Sequence, residues 1–344
     1  MQTLASAEKM LRTPGSQLPK ITVLDVGQAW PLEAVQLATG QTHTLLDEAA
    51  ADYPTVALKI GDAISRRWLE RSQNPHLGEL DGIAAVIGRP GTYYFNTNYE
   101  WSCSTSAGQS PDRRTARLMR VLDWQTPGLG RHIIAARVKG ATGPWVTLTW
   151  PGYTGVLQAM APGRFAAAIN QAPMDTPTGF LPFDWAVNRA RLWRNADPSP
   201  EHLLRRVFET AESYQEAKEL LTHAPLCVGA IYTLSGVRPD EACVIERKEN
   251  EAHVVEGPAS AANDWQNPDW RGHVRGDNNH RRRQMMGGHD RRLDDDFSWL
   301  QPPVRNDLTR LAMVADAAEG RLVAQGFEAD GPATQVLSLE SQPA

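Results

Sequence analysis

Cys103, Arg120 and Asp123 are the residues of this 344-residue chain whose types and spacing best suit covalent chemistry. Cys103 lies in YFNTNYEWSCSTS, Tyr94 to Ser106, with Asn, Tyr and Glu before it and small hydroxyl residues after it. A packed core thiol wants apolar neighbours, and a disulfide wants a partner. A cysteine attacks only as thiolate, so a base must take its proton or a cation must lower its pKa. Histidine is the usual base, yet none of the nine His falls in a pattern that singles it out. The other source is an α-amine. A nucleophile at a chain N-terminus can use its own amine, which titrates near pH ~8. Cys103 meets that condition only if the Ser102–Cys103 bond is cut. Downstream, RLMRVLDW supplies Arg120 and Asp123. A carboxylate there can hold an α-ammonium, and a guanidinium can favour a thiolate. By spacing alone, an Arg and an Asp three apart read as a surface ion pair.

Composition sets the frame. Hydrophobic residues make up 41% and charged residues 22%, with a formal charge of -5. That suits a folded soluble chain and argues against nucleic acid as a partner, since phosphate binding needs a clustered basic surface. No apolar run reaches the ~18 residues of a membrane span. The N-terminal MQTLASAEKMLRTPGSQLPK has no apolar core of a secretory signal, so a cytoplasmic setting is expected. The three cysteines are odd in number and lack CxxC spacing, which fits a reducing compartment and no zinc motif. Cys227 and Cys243 sit in apolar runs and read as core thiols. The eleven Trp are scattered, as core or cleft walls would be.

The elements that must position Cys103 follow from periodicity. Residues 1–20 read as loosely ordered, and ITVLDV as a short strand. From Leu45 to Arg71 the pattern is helical, broken by Pro54. GRPG, Gly88 to Gly91, is a turn. After Cys103 come short strand-like runs, HIIAARVK, WVTLTW, TGVLQAM and RFAAAIN, separated by Gly/Pro turns. PSPEHLLRRVFETAESYQEAKELLTHAP is predicted as one helix capped by Ser199. CVGAIYTLSG, EACVIERK and HVVEG read as strands, Asp264 to Asp296 as a polar basic region, and the C-terminus as two or three strands. The first hundred residues are thus expected to be mainly helical, and the rest an α/β body of antiparallel strands.

The ordered blocks carry a resemblance. YFNTNYEWSCSTS and RLMRVLDW resemble the start of the catalytic chain in acid ceramidase and N-acylethanolamine-hydrolysing acid amidase. Those enzymes have Asn…Tyr-Glu before a Cys-Thr-Ser or similar, then Arg-Asn-x-Asp with an aromatic next. They group with the choloylglycine (bile-salt) hydrolases among the N-terminal-nucleophile hydrolases. GVLQAMAPGRFAAAINQAP, LLRRVFETAESYQEAKELLTHAPL, CVIERK and FSWLQPPVRNDLTRLAMV are similar to later family blocks, so the likeness runs over roughly residues 40–330.

The resemblance implies an α+β fold, a four-layer αββα sandwich with an N-terminal helical segment. It implies self-cleavage between Ser102 and Cys103, dividing the chain into a segment 1–102 and a catalytic part 103–344 that stay together as two subunits. Cys103 would be the nucleophile, Asp123 would bind its amine, and Arg120 would lie beside the thiol. Asn170 would line the oxyanion hole, with Gln171 where the ceramidase branch has Glu. Asn263 in SAANDW would donate to the oxyanion; the Thr that precedes it in the family is missing, and Asn267 is a rival. The family's last site residue is an Arg, for which Arg281, Arg282 and Arg283 compete, with Arg282 favoured. Gln171, Trp124 and Arg281 are expected at the substrate. The implied activity is hydrolysis of a linear, non-peptide N-acyl amide through a Cys103 thioester, with no cofactor or metal. The substrate would be a fatty N-acylethanolamine or ceramide-like amide, or else a bile-salt or N-acyl amino acid conjugate. A weak contact with a membrane surface or micelle would let the enzyme reach a lipid substrate.

Two rivals stand beside this reading. One is an acyltransferase using the same residues. The other is a non-catalytic relative that binds a lipid or amide, motivated by Gln171 and the missing Thr. The segment RGHVRGDNNHRRRQMMGGHDRR holds seven Arg and three His. It lacks interleaved aromatics, so it reads as a solvated loop lending one Arg to the site. Its histidines have no metal-ligand spacing.

Overall fold

The structure, a computed structural model, describes residues 17–51, 53–97, 101–294 and 296–341. Most of the first 20 residues lie outside these, as do Asn98, Tyr99 and Glu100, the polar run just before Cys103. The chain opens on β1 (Thr22–Val26), then α1 (Trp30–Leu37), α2 (Thr39–Ala50), α3 (Thr55–Arg71), α4 (Leu77–Ile87) and α5 (Thr92–Asn96). Next come β2 (Trp101–Gln109), β3 (Ala116–Trp124), β4 (Ile134–Gly140), β5 (Gly143–Thr149), β6 (Gln158–Ala161) and β7 (Phe165–Gln171). Three helices follow, α6 (Leu181–Arg194), α7 (Pro200–Thr210) and α8 (Tyr214–His223). Then come β8 (Ala230–Ser235), β9 (Ala242–Arg247), β10 (Ala252–Glu256), β11 (Ala259–Ala261) and α9 (Asn279–Gly288). The chain closes on β12 (Thr309–Asp316), β13 (Arg321–Glu328), β14 (Gly331–Pro332) and β15 (Leu337–Glu340).

These strands form two stacked sheets. One has the order β1-β4-β5-β6-β7-β8-β9-β10; the other has β11-β2-β3-β12-β13-β14, with β15 also on β13. All described pairings are antiparallel except β1 with β4. The sheets face each other where β2 and β3 cross β7 and β8; α7 and α8 cover the first sheet, and α9 covers the second. The layer order is therefore αββα, as expected.

Layering explains why β3, ARLMRVLDW, is buried along its whole length. Side chains alternate across a strand, so each face needs its own apolar cover. Leu118 and Leu122 join the core between the sheets. Met119 and Val121 join a second core with Met286, Phe297, Leu300 and Val304 on the outer side.

Several elements differ from expectation. The long helix after Ser199 is two helices. Ala211 is extended, and the Ser213 hydroxyl accepts the Glu216 N–H at 3.2 Å while the Glu216 carboxylate accepts the Glu212 N–H at 2.8 Å. That reciprocal pair starts a new helix where periodicity alone runs on. α6 was not anticipated; with Pro at its start and most of its side chains exposed, it lacks a strong apolar stripe. The basic segment is not all loop, because α9 turns Arg282 and Met286 inward.

The N-terminal part is mainly helical but is also woven into the body. β1 forms the edge of the first sheet beside β4. Trp30 meets Trp145 edge-on at 5.7 Å, and the Trp68 indole donates to the Leu192 carbonyl at 3.0 Å. Asn96 accepts the Thr154 N–H at 2.8 Å. Arg205 pairs with Glu79 at 2.6 Å, beside the rings of His76 and His202, whose centroids lie 4.5 Å apart at a tilt of 49°. No described helix is long and apolar enough to cross a membrane.

The histidine pair makes this junction pH-dependent. Burial, then Arg205, lowers His76 to about 3, and burial, His76 and Arg205 hold His202 well below its ordinary value. The unfolded chain therefore binds more protons below pH ~6.5, and stability is lost as pH falls from there toward the folded value. Urea unfolding of the wild type between pH 6.5 and 4 is expected to weaken more steeply than that of His76→Asn. Equal slopes would remove the histidine pair as the cause.

Candidate active site

The β2–β3 register builds the site. Cys103 lies opposite Leu122, Thr105 opposite Arg120, and Ser102 opposite Asp123. Arg120 and Asp123 are three apart, so the alternation of β3 sends them to opposite faces. Arg120 enters the space between the sheets with the thiol. Asp123 turns toward α9 and its Arg282. Both are fully buried, which a surface ion pair is not.

Arg120 donates to the Cys103 Sγ at 3.1 Å and is fixed from behind by the Ile169 carbonyl at 2.7 Å and Asn170 Oδ1 at 3.1 Å. Asn170 donates in turn to Thr105 Oγ1 at 3.2 Å and the Ala262 carbonyl at 3.0 Å. Asn263 Oδ1 accepts the Cys103 backbone N–H at 2.7 Å, and its Nδ2 donates to the Gln171 carbonyl at 2.8 Å. Arg282 reaches from α9 to the Cys103 carbonyl at 3.2 Å, Ser104 Oγ at 3.3 Å and Asp123 Oδ2 at 3.3 Å. The cysteine is thus held at its thiol, its N–H and its C=O by three different side chains.

Charge within this cluster is unbalanced. Two guanidiniums, Arg120 and Arg282, are buried with one carboxylate, Asp123. Burial pushes the Cys103 thiol up to about 11, against the pull of Arg120 and Arg282 and with Asp123 adding to the rise. In the intact chain the thiol is therefore protonated at neutral pH. Burial also raises the Asp123 carboxyl; Arg282, Asn306, Thr309 and Arg120 oppose that rise. A thiolate would bring two cations and two anions together, so the charge balance favours ionisation once burial is relieved.

Other predicted residues fall in different places. Gln171 ends β7 and lines two adjoining cavities. Trp124 lies in an aromatic row, 5.3 Å from Trp101 and 5.5 Å from Trp150. Arg281 is exposed on α9, and Arg283 pairs with Asp264 at 2.7 Å. Asn267 sits at a turn, its N–H on Glu246 at 2.9 Å. Of the rival pairs, the structure brings Asn263 and Arg282 to Cys103.

Three supporting residues were not singled out in sequence. Asn306 and Thr309 donate to Asp123 at 3.0 and 2.8 Å. Their block, FSWLQPPVRNDLTRLAMV, carries the resemblance but by itself assigns them no role. Asn279 accepts from both Asn263 and Arg282, and only its buried place at the start of α9 reveals it. Gly276 has φ +65, and a Cβ there would meet Ser102 at 3.0 Å and Arg282 at 3.1 Å, so glycine suits this close approach.

The cavity above Ser102 and Asp123 measures about 350 Å³ and is walled by Trp101, Arg275, Gly276 and Leu308. Gln171, His273 and Arg275 also line a neighbouring cleft of about 440 Å³, which runs past Trp265 to Leu181 and Trp185 of α6. Among the described residues, no cluster of His, Cys, Asp or Glu is gathered as a metal site. Cys227 and Cys243 are buried and unpaired.

No protein-family model matches the chain. A probable acid ceramidase of Caenorhabditis elegans is 26% identical over 216 residues, 56% of this chain and 52% of that protein. The acid ceramidase of Pan troglodytes is 31% identical over 106 residues, 30% of this chain and 25% of that protein. The match thus spans about half the length of the first relative and a quarter of the second. Among solved structures, a Caenorhabditis elegans N-acylethanolamine-hydrolyzing acid amidase ortholog aligns with a TM-score of 0.47 and 18% identity, covering 69% of this chain and 100% of that one. A conjugated bile acid hydrolase from Clostridium perfringens aligns with a TM-score of 0.39 and 11% identity, covering 69% and 92%. The resemblance read from the sequence is borne out by the curated relatives: over part of its length the chain is similar to acid ceramidases.

The buried ion pair sets a stability test. Arg282→Met leaves Asp123 without its cation and is expected to cost about 3–5 kcal/mol in urea unfolding. Adding Asp123→Asn should recover part of that loss. A double variant no more stable than Arg282→Met would argue against the pairing.

Proposed function

We propose that the chain is a self-cleaving cysteine amidase of the N-terminal-nucleophile type. The observation that carries this reading is the threefold hold on Cys103: Arg120 at its Sγ, Asn263 at its N–H and Arg282 at its C=O. A structural cysteine needs none of these. In maturation, Sγ attacks the Ser102 carbonyl and the peptide nitrogen leaves as the Cys103 amine, giving a thioester. Water then hydrolyses the thioester, so Ser102 keeps a carboxylate and Cys103 becomes N-terminal. The products are segments 1–102 and 103–344.

Ser102 is the residue opposite Asp123, so cleavage would free the Cys103 amine at the neighbouring strand position, where that carboxylate suits an ammonium. In turnover that amine accepts the thiol proton, and the thiolate attacks the amide carbonyl. The Asn263 amide and backbone N–H groups stabilise the oxyanion. The amine returns its proton to the leaving nitrogen, and water hydrolyses the acyl-enzyme. Arg120 stabilises the thiolate throughout.

The substrate class is an N-acyl amide, taken from the likeness to acid ceramidases. The cleft past Trp265 offers apolar wall for an acyl chain. Phe180, Leu181, Phe183 and Trp185 at the start of α6 are exposed, which supports contact with a micelle or membrane surface beside it. A second substrate reading has its own support. Arg189, Arg191, Lys248 and Arg275 line this cleft against Asp175 and Glu249, an excess of cations in a chain of net charge -5. That favours an amide carrying an anionic group, such as an N-acyl amino acid.

Intact-mass measurement between pH ~4.5 and 8 tests maturation across the range in which carboxylates and amines titrate. Cleavage between Ser102 and Cys103 is expected in the wild type and not in Cys103→Ala. A wild-type chain that stays whole but hydrolyses amides would sink the mechanism, and one that binds amides without turnover would favour the binding relative. An N-acylethanolamine, a ceramide and an N-acyl glycine, assayed with and without an amine acceptor, then separate the substrate classes and transfer from hydrolysis. Asn263→Ala is expected to lower kcat by about 100-fold on the preferred substrate.

A further inference from the structure

Asn279 is a buried side chain that ties together two groups around Cys103, Asn263 and Arg282, which also meet directly through Arg282 Nη2 and Asn263 Oδ1 at 3.2 Å. Its Oδ1 accepts the Asn263 backbone N–H at 2.9 Å and Arg282 Nη2 at 2.8 Å. Its Nδ2 donates to the carbonyls of Arg275 at 3.0 Å and Gly276 at 3.1 Å. Both donor hydrogens and the acceptor oxygen are thus engaged. The chain reaches this position through two left-handed residues, Gly276 at φ +65 and Asn278 at φ +55. Gly276 also packs against Ser102, so the turn that Asn279 closes forms the wall over the bond before Cys103.

We propose that Asn279 is a positioning residue for the reaction, fixing Asn263 relative to Arg282. The inference rests on the functional reading above. Asn263 and Arg282 bind the N–H and C=O of the same residue, so their separation must match the span of that one residue. In the intact chain, the strand itself helps to hold that spacing. Cleavage removes the peptide on the N-terminal side of Cys103, and Asn263 loses a backbone amide as its partner. The bonds from Asn279 do not pass through that peptide. They therefore keep the Asn263 amide and the Arg282 guanidinium in register while the substrate carbonyl enters.

A purely structural role, closing the first turn of α9, predicts a loss of stability alone. The positioning role predicts a loss of kcat that follows the acceptor oxygen. Asn279→Ala removes the acceptor and both donors. Asn279→Asp keeps the acceptor but sets a bare oxygen against the Arg275 and Gly276 carbonyls until it is protonated. The experiment measures Cys103-dependent cleavage by intact mass, kcat and KM on the preferred N-acyl amide between pH 5 and 8, and Tm.

Asn279→Ala is expected to slow cleavage and lower kcat by roughly tenfold or more, with KM changed less than about threefold. Asn279→Asp should recover kcat, and recover more of it relative to wild type as pH falls. Wild-type kcat in a folded Asn279→Ala protein would overturn the inference. So would an Asn279→Asp protein no better than Asn279→Ala at any pH, or losses that merely track the unfolded fraction. If the wild type itself shows neither Cys103-dependent cleavage nor turnover, the functional reading fails and takes this inference with it. An active wild type beside an unaffected variant overturns the inference alone.

Discussion

The structure around Cys103 depends on a charge deficit in a dry place. Two guanidiniums and one carboxylate are buried together, and the fourth member is a thiol that burial keeps protonated. Isolated buried charges cost several kcal/mol each unless they are paired and hydrogen-bonded. The surrounding Asn and Thr side chains meet that demand. Asn306 and Thr309 saturate Asp123, while Asn170 and the Ile169 carbonyl hold Arg120. The cluster is thus arranged to accept one more negative charge, and the sulfur is the atom placed to carry it.

The sandwich makes this arrangement possible. A strand covered on both faces can send alternate side chains into two separate buried layers. β3 uses that to place Arg120 with the thiol and Asp123 on the other side, under α9. A helix in place of β3 would put residues three apart on one face, and the two charges would fall in the same layer. The outer layer matters as much. α9 and the segment around Phe297 and Val304 seal the second core, so Arg282 meets Asp123 away from water.

The described residues before Cys103 are bound to the body at several points. β1 extends a sheet, and the indoles of Trp30 and Trp68 reach across the junction, as does the Arg205–Glu79 pair. These contacts do not run through the Ser102–Cys103 peptide. In the proposed mechanism, cleavage would therefore leave two segments in one fold, with local opening at the new amine. That opening is what would relieve the burial that raises the thiol.

The sequence alone was enough to single out Cys103, Arg120 and Asp123, because their types define a narrow chemistry and the flanking blocks occur in a recognisable order. It also carried the strand-rich body, since alternation and Gly/Pro turns are local signals. It could not separate Asn263 from Asn267 or Arg282 from its neighbours. Identical side chains a few residues apart differ only in which way the backbone turns. The left-handed residues at Gly276 and Asn278 and the start of α9 decided that Arg282 points inward while Arg281 faces solvent. Likewise the spacing of Arg120 and Asp123 describes a surface pair until β3 is known to be buried on both faces. Asn279 had no local signal, because its importance lies in bonds to residues brought near only by the packing of α9 on the second sheet.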